Sequence, residues 1–217
     1  MRMIQSTLLA EGPNDAALTV HLTWLLTHHF PKDEVQETAF VASKELEGIP
    51  KGDLARRMRI ATENHPCDIL FVHRDADSTD AQPRHDEIDH AAKVLQRDLA
   101  HVVAVVPIQT LEAWLLFDAD ALFRAVGKTP QKHFNLPALK TIEQQAQPKA
   151  LLHDCLRLAH GGTGRKRDSF KPHQSRYYLA IANAIADTAT AFEPLLDTRN
   201  NVTAFQRLSQ SIVRLRF

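Results

Sequence analysis

The sequence is poor in cysteine and has no long apolar run. Cys67 and Cys155 are the two cysteines among 217 residues, and they lack metal-type spacing. The longest apolar stretch, at 102–107, has the length of a strand, whereas a membrane-spanning helix needs about 18 apolar residues. Nothing at the amino terminus resembles a signal peptide. We therefore expect a cytoplasmic protein with reduced thiols and without membrane contact.

An excess of charge of one sign is also absent. The chain has 26 Lys and Arg and 26 Asp and Glu, so its formal net charge is zero when histidine is neutral. This balance argues against a protein that coats nucleic acid through bulk charge, but it is compatible with a local basic patch. The hydrophobic fraction of 44% is sufficient for a packed core in one domain, or in one domain with an added subdomain.

Strand-like and helix-like patterns alternate through the first half of the chain. Apolar strand-length segments occur at 3–10, 35–43, 67–73 and 101–108, and helix-period segments lie between them at 16–30, 52–65 and 81–100. This order predicts the α/β class, with a four-stranded, mainly parallel, Rossmann-like sheet flanked by helices. Ligands of such sheets bind beyond the carboxyl ends of the strands.

The second half of the chain has a different character. Its apolar residues recur at helical spacing in four segments, 110–126, 148–159, 175–192 and 204–215. No internal repeat and no low-complexity tract is present. We therefore predict an α/β core over residues 1–125 and a helical carboxyl-terminal extension over residues 126–217 that packs on this core.

Two aspartates, Asp75 and Asp77, follow the apolar segment "ILFVH". If the backbone stays extended, they point to the same face and lie about 6.5 Å apart along the chain. Two like charges this close repel each other, and a divalent cation removes the conflict. Mg²⁺ prefers carboxylate oxygens, so the pair predicts a site for Mg²⁺ or Mn²⁺. Neighbouring His73 either assists this site or makes a structural hydrogen bond at the end of the strand.

Three further acids reach the same predicted edge of the sheet. Glu11 follows the first strand directly, Asp15 comes one helical turn later, and Glu112 follows the fourth strand. Each acid alone has an ordinary explanation as a helix cap, a first-turn acid or a solvated surface residue. Their common location nevertheless predicts that Glu11, Asp15 and Glu112 join the aspartate pair as metal ligands.

A basic, glycine-containing segment, "GGTGRKRDSFKPHQSR", separates two of the predicted helices. Such a loop can grip a phosphate backbone, and the ring of Phe170 can stack on a base. The alternative is a solvated loop without a ligand. The candidate nucleic-acid contacts are Arg165, Lys166, Arg167, Lys171 and Arg176.

Other conspicuous residues have structural interpretations. Arg56, Arg57 and Arg59 lie on one predicted helix, and we expect them to form its solvated face. Trp24 and Trp114 lie within apolar helical patterns and are expected in the core. The twelve histidines show no zinc-binding spacing.

The order of "LLAEGPND" and "ILFVHRDADS" in a β-α-β-α-β frame resembles the Toprim domain. This is the catalytic fold of topoisomerases, bacterial primases, OLD-family nucleases and small ribonucleases that mature ribosomal RNA. The resemblance implies that Glu11 is a general acid or base, and that Asp75 and Asp77 hold Mg²⁺. It covers residues 4–125 and lacks the topoisomerase tyrosine context and any zinc-binding region.

The segment "VPIQTLEAWLLFDADAL" is similar to a bacterial family of small Toprim-like proteins. Members carry an E-A-W-L-L-x-D run after the fourth strand, which here corresponds to Glu112, Trp114 and Asp118. Their genes often lie beside genes for ABC-type ATPases of the OLD kind. This similarity implies a partner ATPase and a role in bacterial genome defence.

Together these resemblances imply a Mg²⁺-dependent nuclease that hydrolyses phosphodiester bonds of DNA or RNA. One alternative is a non-catalytic Toprim-like subunit that binds and regulates an ABC-type ATPase. A second alternative is a haloacid-dehalogenase-like phosphatase, because Asp75, Asp77 and Thr79 fit its D-x-D-x-T motif. That family usually places the motif on its first strand, and it leaves Glu11 unexplained.

Overall fold

A computed structural model describes residues 1–95, 101–130, 135–163 and 165–216, except for the side chains of residues 167 and 168. Within these ranges the protein has a parallel sheet with helices on both faces. The carboxyl-terminal part of the predicted helix 81–100 and the side chain of Arg167 lie outside the described residues. In the described part, no helix is long and apolar enough to cross a membrane.

The main sheet has four strands in the order β4-β2-β5-β6, and all its neighbours pair in parallel. A short parallel pair, β1-β3, lies beside it. The strands are β1 (Met3–Ile4), β2 (Ser6–Leu9), β3 (Glu34–Val35), β4 (Ala39–Phe40), β5 (Ile69–His73) and β6 (His101–Val105). The predicted α/β class and four-stranded sheet are confirmed, and the sheet is parallel throughout the described residues.

Helices connect the strands and make up the second half of the chain. The α-helices are α1 (Leu18–His29), α2 (Leu54–Asn64), α3 (Gln82–Val94), α4 (Ala119–Ala125), α5 (Pro148–His160), α6 (Arg165–Ser169), α7 (Ser175–Ala186), α8 (Glu193–Leu196) and α9 (Thr203–Val213). Shorter 3₁₀ segments occur at Pro13–Ala17, Ser43–Leu46, Leu111–Leu115, Leu139–Gln144 and Thr198–Asn200.

Several elements are shorter than the sequence pattern predicts. The predicted first strand divides at Gln5, whose backbone N–H donates to the Asp68 carboxylate at 2.9 Å. The predicted helix 110–126 divides at Asp118, whose side chain accepts a hydrogen bond from the Ala121 N–H and so begins α4 as a new helix. The basic segment, predicted as a loop, contains the short helix α6.

Apolar layers cover both faces of the sheet, and β5 contributes to each of them. Phe71 belongs to the larger layer and Leu70 to the smaller one, as expected for a strand buried on both faces. The larger layer contains Trp114 and Phe205, so segments on both sides of the predicted boundary at 125 share it. Helix α7 packs there against α1, α4 and the 3₁₀ segment that follows β2. This packing brings the helical half to the carboxyl edge of the sheet.

A fully buried histidine, His21, lies inside this larger layer. Its ring centroid is 4.2 Å from that of Phe192, and its Nδ1 donates to the Ala17 carbonyl at 3.1 Å. Burial lowers the pKa of His21 to about 4. In the unfolded chain the ring has its ordinary pKa of about 6.5, so acid protonates the unfolded state first.

We therefore expect His21 to make the protein less stable as the pH falls below neutrality. The free energy of unfolding should lose about 2–3 kcal/mol from this residue between pH 7 and pH 4.5. Urea denaturation at both pH values measures the change. His21→Leu should flatten the pH dependence by this amount, whereas His28→Leu, at an exposed position on the same helix, should not. If the free energy of unfolding changed equally with pH in wild type and in both variants, His21 would not be the cause of the pH dependence.

Candidate functional site

Buried polar side chains gather at the carboxyl ends of the three strands β2, β5 and β6. Asp15 lies in the 3₁₀ segment after β2, and Glu112 lies in the one after β6. Between them, β5 ends at His73, and Asp75 follows two residues later. Asp15, His73 and Glu112 are each less than a tenth exposed. We refer to Asp15, Asp75 and Glu112 as the acidic cluster.

His73 lies between two members of the acidic cluster. Its Nδ1 donates to the Val105 carbonyl at 3.0 Å, which fixes the ring. Its Nε2 is 3.7 Å from Asp15 Oδ2 and 3.6 Å from Asp75 Oδ1, is buried, and has no hydrogen-bond partner. A nitrogen lone pair facing two carboxylate oxygens is unfavourable, and a cation bound among these three groups would remove the conflict.

Asp75 has the most perturbed carboxylate of the cluster. Its Oδ1 accepts a hydrogen bond from the Leu111 N–H at 3.0 Å. Burial raises the pKa of Asp75 to about 7, and repulsion from Glu112 and Asp15 adds to the increase, whereas His73 opposes it. A divalent cation would relieve the repulsion among these carboxylates.

Asp15 also shapes the loop that follows β2. Its Oδ2 accepts hydrogen bonds from the backbone N–H groups of Glu11, at 3.0 Å, and Gly12, at 2.8 Å. Burial raises the pKa of Asp15, while His73 and these two N–H donors lower it. Asp15 therefore has a structural role in closing the loop in addition to its place in the acidic cluster.

Two residues of the helical half complete the site. The hydroxyl of Tyr178, on α7, donates to Glu112 Oε1 at 2.8 Å, and His153 Nε2, on α5, lies 3.0 Å from the same hydroxyl. Burial raises the pKa of Tyr178, and the nearby Glu112 raises it further. Sequence reasoning missed both residues, because neither belongs to a motif. The one available signal was the position of Tyr178 in an apolar helical pattern.

Glu11 lies at the same edge but is bound to a cation from its own chain. Its Oε1 accepts a hydrogen bond from Arg74 Nη1 at 2.8 Å. Arg74 is only 4% exposed, and it also reaches the Lys51 carbonyl at 2.8 Å and Glu87 Oε1 at 3.3 Å. The charge of Glu11 is therefore balanced by a buried guanidinium that the sequence pattern did not indicate as its partner.

Asp77 does not join Asp75. Its backbone has φ of 53°, in the left-handed region, so the extended geometry that would align the two carboxylates ends before this residue. Its side chain is 65% exposed, and Oδ2 lies 3.5 Å from Arg84 Nη2. The structure thus brings together Asp15, Asp75 and Glu112, whereas Asp77 and Glu11 lie beside arginines.

The acidic cluster fits a divalent cation in its donor type and electrostatics. Its ligands are carboxylate oxygens, and Nε2 of His73 is a buried nitrogen without a partner. In the described residues, however, no group of three or more His, Cys, Asp or Glu side chains is spaced to hold a metal ion. Binding at this position would therefore require these side chains to move closer together.

The basic segment presents its cations at the surface. Arg165, Lys166, Lys171 and Arg176 are exposed, and the side chain of Arg167 is outside the described residues. The Phe170 ring stacks on His160, with ring centroids 4.3 Å apart, and lies 5.0 Å from the Tyr177 ring. The Phe170 ring thus packs against its own chain while remaining partly exposed, and its stacking on a base stays a prediction.

Comparison with protein-family models, with curated proteins and with solved structures finds no match to this chain. The Toprim-like resemblance therefore rests on the motifs and their order alone. The function has to be argued from the site itself.

Proposed function

We propose that this protein is a metal-dependent phosphodiester hydrolase, a nuclease, whose centre is the acidic cluster. The observation that carries the proposal is the convergence of three carboxylates from separate strand ends, two of which, Asp15 and Asp75, flank the unpartnered Nε2 of His73. This is the edge where sheets of this type bind ligands. Mg²⁺ is the proposed ion, with Mn²⁺ as a substitute, because both accept carboxylate oxygens as ligands.

In this proposal Asp75 is the principal ligand, and Asp15 and Glu112 supply further oxygens. The ion contributes Lewis acidity toward a phosphate oxygen and the attacking water. Glu11 is partly exposed, and Arg74 holds one of its oxygens at 2.8 Å, so its second oxygen is available to move a proton. A positioned general acid or base of this kind contributes about 10²–10⁴-fold to a rate.

The proposed substrate is DNA or RNA, bound through its phosphates. The exposed basic residues at the start of α6 and α7 belong to the same helical half that supplies Tyr178 to the site. Arg176 and Tyr178 both lie on α7, the first exposed and the second buried. The resemblance adds an ABC-type ATPase partner and a role in genome defence to this proposal.

Calorimetric titration with Mg²⁺ and Mn²⁺ tests the metal site, and cleavage of plasmid DNA, single-stranded DNA and RNA tests the activity. We expect saturable ion binding, and cleavage that is abolished by a chelator. Asp75→Ala should lose both properties. Equal background cleavage by wild type and variant, without ion binding by either, would reject the proposal for this chain.

The ion pairs of Glu11 and Asp77 favour a second candidate, a non-catalytic Toprim-like subunit that regulates an ABC-type ATPase. Two of the three acids implied by the motif as functional lie beside arginines, Glu11 at 2.8 Å and Asp77 at 3.5 Å. A folded protein that binds no divalent ion but changes the turnover of a co-purified ATPase would support this candidate. Formation of phosphoaspartate at Asp75 would instead support the phosphatase alternative.

A further inference from the structure

One arginine of α2 is buried while its neighbours are exposed. Arg57 is 6% exposed, whereas Arg56 and Arg59 face solvent. The expectation that all three arginines form the solvated face of the helix is therefore wrong for Arg57. The helical period places Arg57 on the inward face of α2, next to the carboxyl end of β2. There its Nη2 donates to the Ala10 carbonyl at 3.3 Å.

Arg57 shares its nearby negative charge with Arg74. Its Nε is buried without a hydrogen-bond partner, and it makes no ion pair within 4 Å among the described residues. Burial lowers the pKa of Arg57 and the neighbouring guanidinium of Arg74 lowers it further, whereas Glu11, which is paired with Arg74, raises it. A buried N–H donor without a partner is unfavourable for folding, so a structural role alone does not account for this side chain.

Arg74 is the second cation of this pair. Glu11 and Glu87 neutralise its two terminal nitrogens, but its Nε is also buried without a partner. The two guanidinium groups thus repel each other electrostatically, and each has one buried N–H donor without a partner. They lie next to Ala10 and Glu11, at the edge of the sheet that carries the acidic cluster.

We propose that Arg57, together with Arg74, forms a binding site for a phosphate group. The planar fork of a guanidinium matches two phosphate oxygens, and a phosphate would supply acceptors for the unpartnered N–H groups of both arginines. Glu11 and Glu87 are partly exposed, so the site lies directly below the surface. That the phosphate belongs to a nucleic-acid backbone rests on the proposed function, whereas phosphate binding itself does not.

Isothermal titration with inorganic phosphate, and with a short 5′-phosphorylated oligonucleotide in the presence of a chelator, tests this site. Arg57→Met should weaken binding of both probes at least about tenfold, since one charge-assisted contact is lost. Arg56→Met and Arg59→Met are matched controls from the same helix and should bind like wild type. Arg57→Lys keeps the charge but loses the planar fork, so its affinity for both probes should lie between those of wild type and Arg57→Met.

A stability measurement separates binding from a structural role. Without phosphate, Arg57→Met should unfold at the same urea concentration as wild type or a higher one, because it removes a buried N–H donor that has no partner. Strong destabilisation by Arg57→Met, or phosphate binding that survives it, overturns the proposal. Loss of phosphate binding with intact Mg²⁺ binding supports it. If the protein binds phosphate but binds no divalent ion and cleaves no substrate, the nuclease proposal is rejected and the phosphate-site proposal stands.

Discussion

Asp75→Asn should reduce phosphodiester cleavage at least about 10³-fold, whereas Asp77→Asn should reduce it less than about tenfold. The motif treats these aspartates as equivalent, but their surroundings differ. Asp75 lies in the acidic cluster, 3.6 Å from Nε2 of His73 and with its pKa raised to about 7 by burial. Asp77 is 65% exposed on a left-handed turn, beside Arg84. Removing a central metal ligand costs several kcal/mol of transition-state stabilisation, whereas removing an exposed charge does not.

Single-turnover cleavage of one labelled oligonucleotide, at saturating Mg²⁺, measures both variants under the same conditions. Asparagine is nearly the same size as aspartate, so circular dichroism should show both variants folded. A titration with Mg²⁺ should show weaker binding for Asp75→Asn alone. Equal losses of cleavage rate for the two variants would mean that Asp77 turns inward when the ion binds. Both aspartates would then be metal ligands, as the motif implies.

Glu143→Ala should destabilise the protein by about 3 kcal/mol or more, the largest effect on folding that we expect. Glu143 is 5% exposed and joins three elements. Its carboxylate accepts hydrogen bonds from Trp114 Nε1 at 3.2 Å, Thr203 Oγ1 at 3.1 Å and the Ala204 N–H at 3.2 Å. The last two donors lie in the first turn of α9, where a negative charge also stabilises the helix dipole.

Urea denaturation monitored by Trp fluorescence and by circular dichroism measures this loss. Glu143→Gln keeps one carbonyl acceptor, so its free energy of unfolding should decrease less than that of Glu143→Ala. Glu63→Ala, at an exposed position on α2, should change stability by no more than about 0.5 kcal/mol. A similar small change for Glu143→Ala would show that water satisfies the three donors as well as the carboxylate does.

The sequence was sufficient to predict the sheet and the location of the acidic cluster. Alternating strand and helix patterns imply parallel strands, and the carboxyl ends of parallel strands meet at one edge. Asp15, Asp75 and Glu112 each follow a strand closely, so chain order alone placed them there. These predictions depend on local pattern and on a general rule of α/β topology.

The remaining features depend on tertiary contacts that local pattern does not encode. The left-handed backbone at Asp77 is part of a turn that pairs with Gln109, whose backbone accepts the Asp77 N–H at 2.9 Å. The helical period groups Arg57 with the buried Leu54, Met58 and Ala61, but its hydrogen bond to the Ala10 carbonyl depends on how α2 packs beside β2. Tyr178 reaches Glu112 because α7 packs against the 3₁₀ segments that follow β2 and β6, and no spacing within the sequence specifies that contact.

The hydrogen bond from Tyr178 has a practical consequence for anyone designing a minimal version of this protein. Glu112 and its donor are 66 positions apart in the chain. A shortened chain that stops after α4 would retain every acid of the motif. It would lose the hydrogen bond from Tyr178 to Glu112, and it would expose the apolar surface that α7 covers. The motif-bearing half is thus only part of the unit that forms the site, and a workable truncation has to retain α7.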